Sequence, residues 1–178
     1  MFRTIAAAFA ALALTAATVA AESGGTVTGT IGGQEVELAI WPEQSDYDGG
    51  LDVTWILVSL IARGDALAQR NLGWLYFQIE AFDLPGNGHT FVELQTSIRD
   101  TTPRRIYVGT YSHYSEEERA LALSITSAVE DDGLLTLSGT VTGVLISVEQ
   151  MGYRNPDPDD TLDVDLTFDV TVARMGSD

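Results

Sequence analysis

From Thr161 to Ala173 every second residue is apolar. Leu162, Val164, Leu166, Phe168, Val170 and Val172 alternate with Asp163, Asp165, Thr167, Asp169 and Thr171. A helix would scatter these two sets around its axis, whereas a strand sends them to opposite faces. The stretch therefore reads as a β-strand with one face in a core and the other in water. Arg119 to Val129 repeats the pattern, with Leu121, Leu123, Ile125 and Val129 opposing Ala120, Ala122, Ser124 and Thr126. Ser115 followed by three glutamates also fits a first helical turn reaching about Ala122. The β-branched Ile125, Thr126 and Val129 return the later part to strand.

The turns fall where short strands need them. Gly32-Gly33 and Asp131-Asp132-Gly133 are hairpin signals, and Leu84-Pro85-Gly86-Asn87-Gly88 is a turn. Between them the sequence predicts strands over Gln34–Trp41, Val53–Ala62, Gly73–Asp83, His89–Ile98, Arg104–Tyr111 and Leu134–Val148. Val53–Ala62 is apolar on both faces, as in a strand covered on both sides. Pro42–Gly50 and Gly152–Asp160 read as loops, the Asp100–Pro103 stretch as a turn, and Asp65–Arg70 as one or two helical turns. Gly25-Thr26-Val27-Thr28-Gly29 and Gly139-Thr140-Val141-Thr142-Gly143 are near copies, which suits two equivalent strands with threonine on the wet face. No long helices alternate with the strands, which excludes a doubly wound fold. The expected architecture is all-β: an antiparallel β-sandwich, or flattened barrel, of about eight or nine strands.

Residues Met1–Ala21 read as an address. Arg3 gives a positive start, Ile5–Ala17 is an uncharged Ala/Leu-rich run, and Thr18-Val19-Ala20-Ala21 places small residues before a cleavage point at Glu22. The run is too short and alanine-rich for a membrane span. The expected division is a signal peptide over 1–21 and a single β-sandwich domain over 22–178. It puts the protein in the periplasm or outside the cell, with no stable membrane insertion after processing. The chain has no cysteine, so disulfides, thiolate metal sites and cysteine nucleophiles are all excluded. Its nine basic residues are all arginine, against 26 acids, for a net charge of −17. Neutralising phosphates requires clustered cations, so a nucleic-acid partner is excluded.

The run Leu134-Leu135-Thr136-Leu137-Ser138-Gly139-Thr140-Val141-Thr142-Gly143-Val144-Leu145, followed by Leu166–Val172, resembles the closing strands of uncharacterised exported bacterial β-sandwich proteins. The resemblance covers roughly the last forty residues. It implies a β-sandwich and carries no functional residues with it.

Several residues invite a chemical role. Asp46, Asp48 and Asp52 stand in a glycine-rich stretch that offers calcium hard oxygens on a pliant backbone, although the glutamate of a full calcium loop is missing. No other cofactor is implied. Asp163 and Asp165 share a strand face about 7 Å apart, which suits a solvated face or a shared cation. His89 lies four residues from Glu93, and His113 sits among Tyr111, Ser112 and Tyr114, but no Gly-x-Ser-x-Gly elbow accompanies them. Tyr107 and Tyr111 alternate with Ile106 and Val108. If the aliphatic pair faces the core, the tyrosines form an exposed platform for a protein or glycan ligand. The tryptophans Trp41, Trp55 and Trp74 are expected in the core. Together these features suggest a soluble exported binding or structural module and lean away from an enzyme. The alternatives are a hydrolase with a site near His89 or His113, and a calcium-stabilised adhesion or matrix component.

Overall fold

The computed structural model describes residues 22–52, 55–84, 88–99, 105–149 and 155–176, without the side chains of 115–119. The leader over 1–21 and the turns at 85–87 and 100–103 lie outside these residues. The described chain is all-β. Its strands are β1 (Gly24–Ile31), β2 (Gln34–Ile40), β3 (Asp46–Gly49), β4 (Ile56–Arg63), β5 (Leu72–Ala81), β6 (His89–Ile98), β7 (Ile106–Ser112), β8 (Ser115–Arg119), β9 (Leu121–Asp131), β10 (Leu134–Val148) and β11 (Asp157–Arg174). A short α-helix, α1 (Asp65–Gln69), joins β4 to β5, and a single 3-10 turn over Pro42–Gln44 leads into β3.

All the strands belong to one hydrogen-bonded sheet. The longest, β11, is flanked by β1 on one side and β10 on the other, both antiparallel to it. From β1 the pairing passes to β2, then to β4 through Ala39–Arg63 and Ile40–Ala62, and on through β5, β6 and β7. It returns to β10 through Val108–Ile146 and Ile106–Val148, so the circuit of pairs closes on itself. Closure removes most of the unpaired strand edge that invites aggregation. β9 covers the first part of β10, and β8 adds to the end of β7.

Three stretches differ from the sequence reading. The loop expected over 42–50 contains β3, which bridges β11 in parallel and β4 in antiparallel. The loop expected up to Asp160 gives way to β11 at Asp157, and Ser115–Arg119 is strand, not a helical turn. Each is a short segment whose own pattern is weak and whose strand geometry is set by its pairing: β3 with β4 and β11, β8 with β7, and the start of β11 with Ser147 of β10. The hairpins form as expected: Gly32, Gly33, Asp132 and Gly133 all have positive φ, the conformation that two-residue hairpin turns demand.

The core is aliphatic, with Leu38, Leu60, Ile79, Leu94, Leu135, Leu137 and Leu145 almost fully buried. Phe77 of β5 meets Phe168 of β11 edge-on across the interior, with ring centroids 5.4 Å apart. Strands on opposite sides of the circuit thus touch through their side chains. The near-copy segments occupy equivalent places: Thr28 of β1 and Thr140 of β10 both lie opposite Thr167 of β11. A Cβ on Gly139 would sit 2.7 Å from Phe168 Cζ and 2.4 Å from the Ser124 carbonyl oxygen. The bare backbone there makes room for the phenylalanine.

Candidate functional site

The register of β6 with β7 decides how Tyr107 and Tyr111 face. Tyr107 lies opposite Thr96 and Tyr111 opposite Val92, both buried residues of the core side. Directly paired residues share a face, so the tyrosines turn inward and pack, half-buried, against the main core. Ile106 and Val108 point the other way and form a separate cluster with Val148. The condition for an exposed tyrosine platform is therefore not met at β7. The Tyr107 hydroxyl donates to Asp160 Oδ1 at 2.7 Å. Burial, followed by that bond, pushes its pKa up to about 12. Arg105 Nε and Nη2 donate to the buried Ser147 Oγ at 3.0 and 2.8 Å, and Nη2 lies 3.6 Å from Asp157. This cluster ties the start of β7 to the start of β11.

Asp46 and Asp48 lie on the side of β3 opposite the fully buried Tyr47. Asp48 Oδ1 accepts the Gly49 N–H at 2.8 Å. Asp52 sits apart, close to Gly50, Glu130 and Arg174. Among the described residues, no three His, Cys, Asp or Glu groups are placed to hold a metal ion. Glu130 is the hub that the sequence did not reveal. Its carboxylate accepts the Leu51 N–H at 2.8 Å and the Tyr47 hydroxyl at 3.0 Å, and pairs with Arg174. The Leu51 N–H and the two side-chain bonds hold its pKa below the usual carboxylate range, against a smaller opposing effect of burial. An open depression of about 480 Å³ lies over this hub, between the β9–β10 hairpin and the end of β11. Within it Glu130 joins Tyr47, the Leu51 N–H and Arg174, which ties β9 to β3 and to the end of β11.

His89 opens β6 beside a bulge that brings it opposite the core residue Ala81. Its ring lies 4.9 Å from Tyr111, and its Nδ1 is buried without a hydrogen-bond partner. His113 stacks edge-on against the exposed Tyr114. Among the described residues, no carboxylate bonds either ring. Glu93 lies on the opposite face of β6 from the buried Val92 and Leu94, where burial raises its pKa.

Trp41, Trp55, Trp74 and Tyr76 lie instead on the outward side of the sheet around β4 and β5, next to β6. The pairing aligns Ile61 of β4, Tyr76 of β5 and Gln95 of β6 in one row, and Ser59, Gln78 and Glu93 in the next. Trp41, just past β2, extends the first row, its backbone N–H donating to the Ile61 carbonyl at 2.8 Å. Arg63 stacks 4.2 Å over the Trp41 ring. A bulge in β5 leaves Trp74 on the surface at 52 % exposure. The Trp55 indole donates to Glu80 Oε1 at 3.0 Å, and the Tyr76 hydroxyl to Gln78 Oε1 at 2.6 Å. None of the three tryptophans belongs to the buried core, contrary to the sequence expectation. The interior is already filled by aliphatics from both sides, and the rings take the opposite pleat. The readable signal was Trp74-Leu75-Tyr76-Phe77-Gln78-Ile79, which is apolar enough on both faces to fit either way round.

The outward side of β1, β10 and β11 differs in kind. It carries Thr28, Thr140, Thr142, Asp163, Asp165 and Asp169, joined by cross-strand bonds such as Ser138 Oγ to Asp169 Oδ1 at 3.2 Å. Here Asp163 and Asp165 are exposed on one solvated face, each opposite neutral neighbours on β10, Val144 and Thr142. No helix of the described residues is long and apolar enough to cross a membrane. No protein-family model, curated protein or solved structure matches the chain.

Proposed function

We propose that the protein is exported to the periplasm or beyond and acts there as a non-enzymatic binding module. In this reading the closed circuit of strands is a flattened barrel, and its working surface is the aromatic outer side of β4, β5 and β6. The observation that carries the proposal is the placement of Trp41, Trp74 and Tyr76 outside a core that does not need them. Exposing large rings in water is unfavourable, so a contiguous set of them on one sheet face marks a place where a partner covers them. The threonine- and aspartate-rich outer side supplies solubility.

The test compares the mature protein with a Trp74→Ala/Tyr76→Ala double variant, each immobilised and exposed to an envelope extract of the producing cells. A component retained by the first and lost by the second is the expected result. Equal retention by both, or none by either, overturns this assignment of the surface.

A further inference from the structure

We infer that the protein associates with a second copy of itself, through antiparallel pairing of β9 with the β9 of that copy. The inference stands on β9 alone and is independent of the aromatic surface. Among the described residues β9 pairs with β10 along one edge, and no strand pairs with its other edge. An open edge is a row of backbone donors and acceptors ready to take up another strand, and proteins ordinarily blunt it with charge. This chain does so elsewhere. β8, which pairs only with β7, has the sequence Ser-Glu-Glu-Glu-Arg. β2, whose pairing with β4 covers only Ala39 and Ile40, carries Glu35 and Glu37. From Leu121 to Val129, β9 has no charged residue at all.

The exposure pattern of β9 selects a copy over an ordinary strand, because it is symmetric about the middle. Leu123 and Ile125 are buried, and Ser124 and Thr126 are exposed; then Ser127 is exposed as well, Ala128 packs against the core, and Val129 is exposed. The bulge opposite Ser138 and Gly139 creates this break, setting the two exposed residues Thr126 and Ser127 side by side. A regular strand alternates without interruption, so it can match the faces of β9 on one side of the bulge but not on the other. A second β9 carries the same break. A two-fold axis between Thr126 and Ser127 pairs these two residues across the interface, and likewise Ile125 with Ala128 and Ser124 with Val129. Exposed residues then meet exposed ones and core-facing residues meet core-facing ones, as direct cross-strand partners must.

Charge agrees with this register. Two chains of net charge −17 repel each other, so a contact between copies needs a surface free of acids. The same two-fold sets Glu130 opposite Leu123 and Asp131 opposite Ala122, so no carboxylate faces another. The acidic ends of the two strands lie at opposite ends of the shared ladder. The first charged residue on the N-terminal side of Ala122 is Arg119, of opposite sign to Asp131.

The experiment measures the mass of the purified protein in solution by analytical ultracentrifugation, across a range of concentrations, at about 0.15 M and about 1 M sodium chloride. The expected result is a concentration-dependent mass of two chains, favoured by the higher salt because screening removes the long-range repulsion. Thr126→Asp/Ser127→Asp sets carboxylates face to face at the two-fold and should leave a single-chain mass. Thr126→Lys/Ser127→Asp sets each lysine opposite an aspartate and should keep the dimer. Both variants change the same exposed positions, and the circular dichroism of each should match that of the wild type, so a general folding defect would not separate them. A single-chain mass at every concentration and both salts overturns the inference, as does a mass above two chains. A dimer that survives the Asp/Asp variant overturns it by placing the contact elsewhere. Loss of the dimer in both variants, with native spectra, overturns the two-fold register on which the inference rests.

Discussion

His89 is buried with a ring nitrogen that no neighbour satisfies. Burial, and then the nearby His113, lower its pKa from the ordinary value of 6.5. The neutral ring is thus the form the fold prefers. A group whose folded pKa is depressed gives its full stability above the unfolded value and loses it as pH falls through the window below. The unfolding free energy should therefore decline as pH drops from about 7 towards 5, by at most about 1.4 kcal/mol per pH unit from this residue, and the melting temperature should fall with it. His89→Phe keeps the packing against Tyr111 and removes the proton site. The difference between wild type and variant isolates the effect, because Glu93, whose raised pKa works in the opposite sense, is common to both. Parallel profiles for the two proteins would show that His89 is not the acid-sensitive group. At the same scale, the Tyr107 ring packs against the core and its hydroxyl donates to Asp160.

Among the elements, β10 carries the most constraint. It faces β11 along nearly its whole length, β9 along its first part and β7 along its last. Gly139 lies in the middle, where its missing side chain admits Phe168. Gly139→Ala should cost about 1–3 kcal/mol, since the backbone oxygen of Ser124 cannot retreat without breaking strand pairing. Urea denaturation is the measurement, and an unchanged midpoint would mean that β9 and Phe168 yield freely. A glycine inside a strand marks a bulge or a close approach of backbone. Which neighbour approaches became clear only with the pairing. Likewise, the aspartates of the 46–52 segment suggested a loop that could gather around a cation; β3 holds Asp46 and Asp48 in strand geometry, and Asp52 lies near Gly50 beside Glu130 and Arg174.

For the whole molecule, the two outer sides are chemically distinct, one of hydroxyls and carboxylates and one of rings and amides. The fluorescence should report this directly. With Trp74 exposed and Trp41 and Trp55 half-buried, a substantial fraction of the folded emission should be quenched by acrylamide about as readily as free indole. Trp74→Phe should remove that fraction. Emission that is strongly blue-shifted and shielded from quencher in the folded protein would place the tryptophans inside and remove the basis of the proposed surface.

Strand, turn and wet face followed from the sequence wherever one face was clearly polar. In β1, β2 and β11 the threonines, glutamates and aspartates leave a single way to bury the pleat; in β9 a bulge after Ile125 turns Val129, expected inward, out to 55 % exposure and packs Ala128 against the core instead. Gly32-Gly33 and Asp132-Gly133 leave a single way to reverse the chain. In β4 to β7 both faces can be buried, so alternation says that a strand forms but not which side goes in. The tertiary structure made that choice through register. Thr96 and Val92 carry Tyr107 and Tyr111 inward, and the short β2–β4 and β7–β10 ladders close the circuit. Those contacts join residues far apart in the chain, and local pattern holds no record of them.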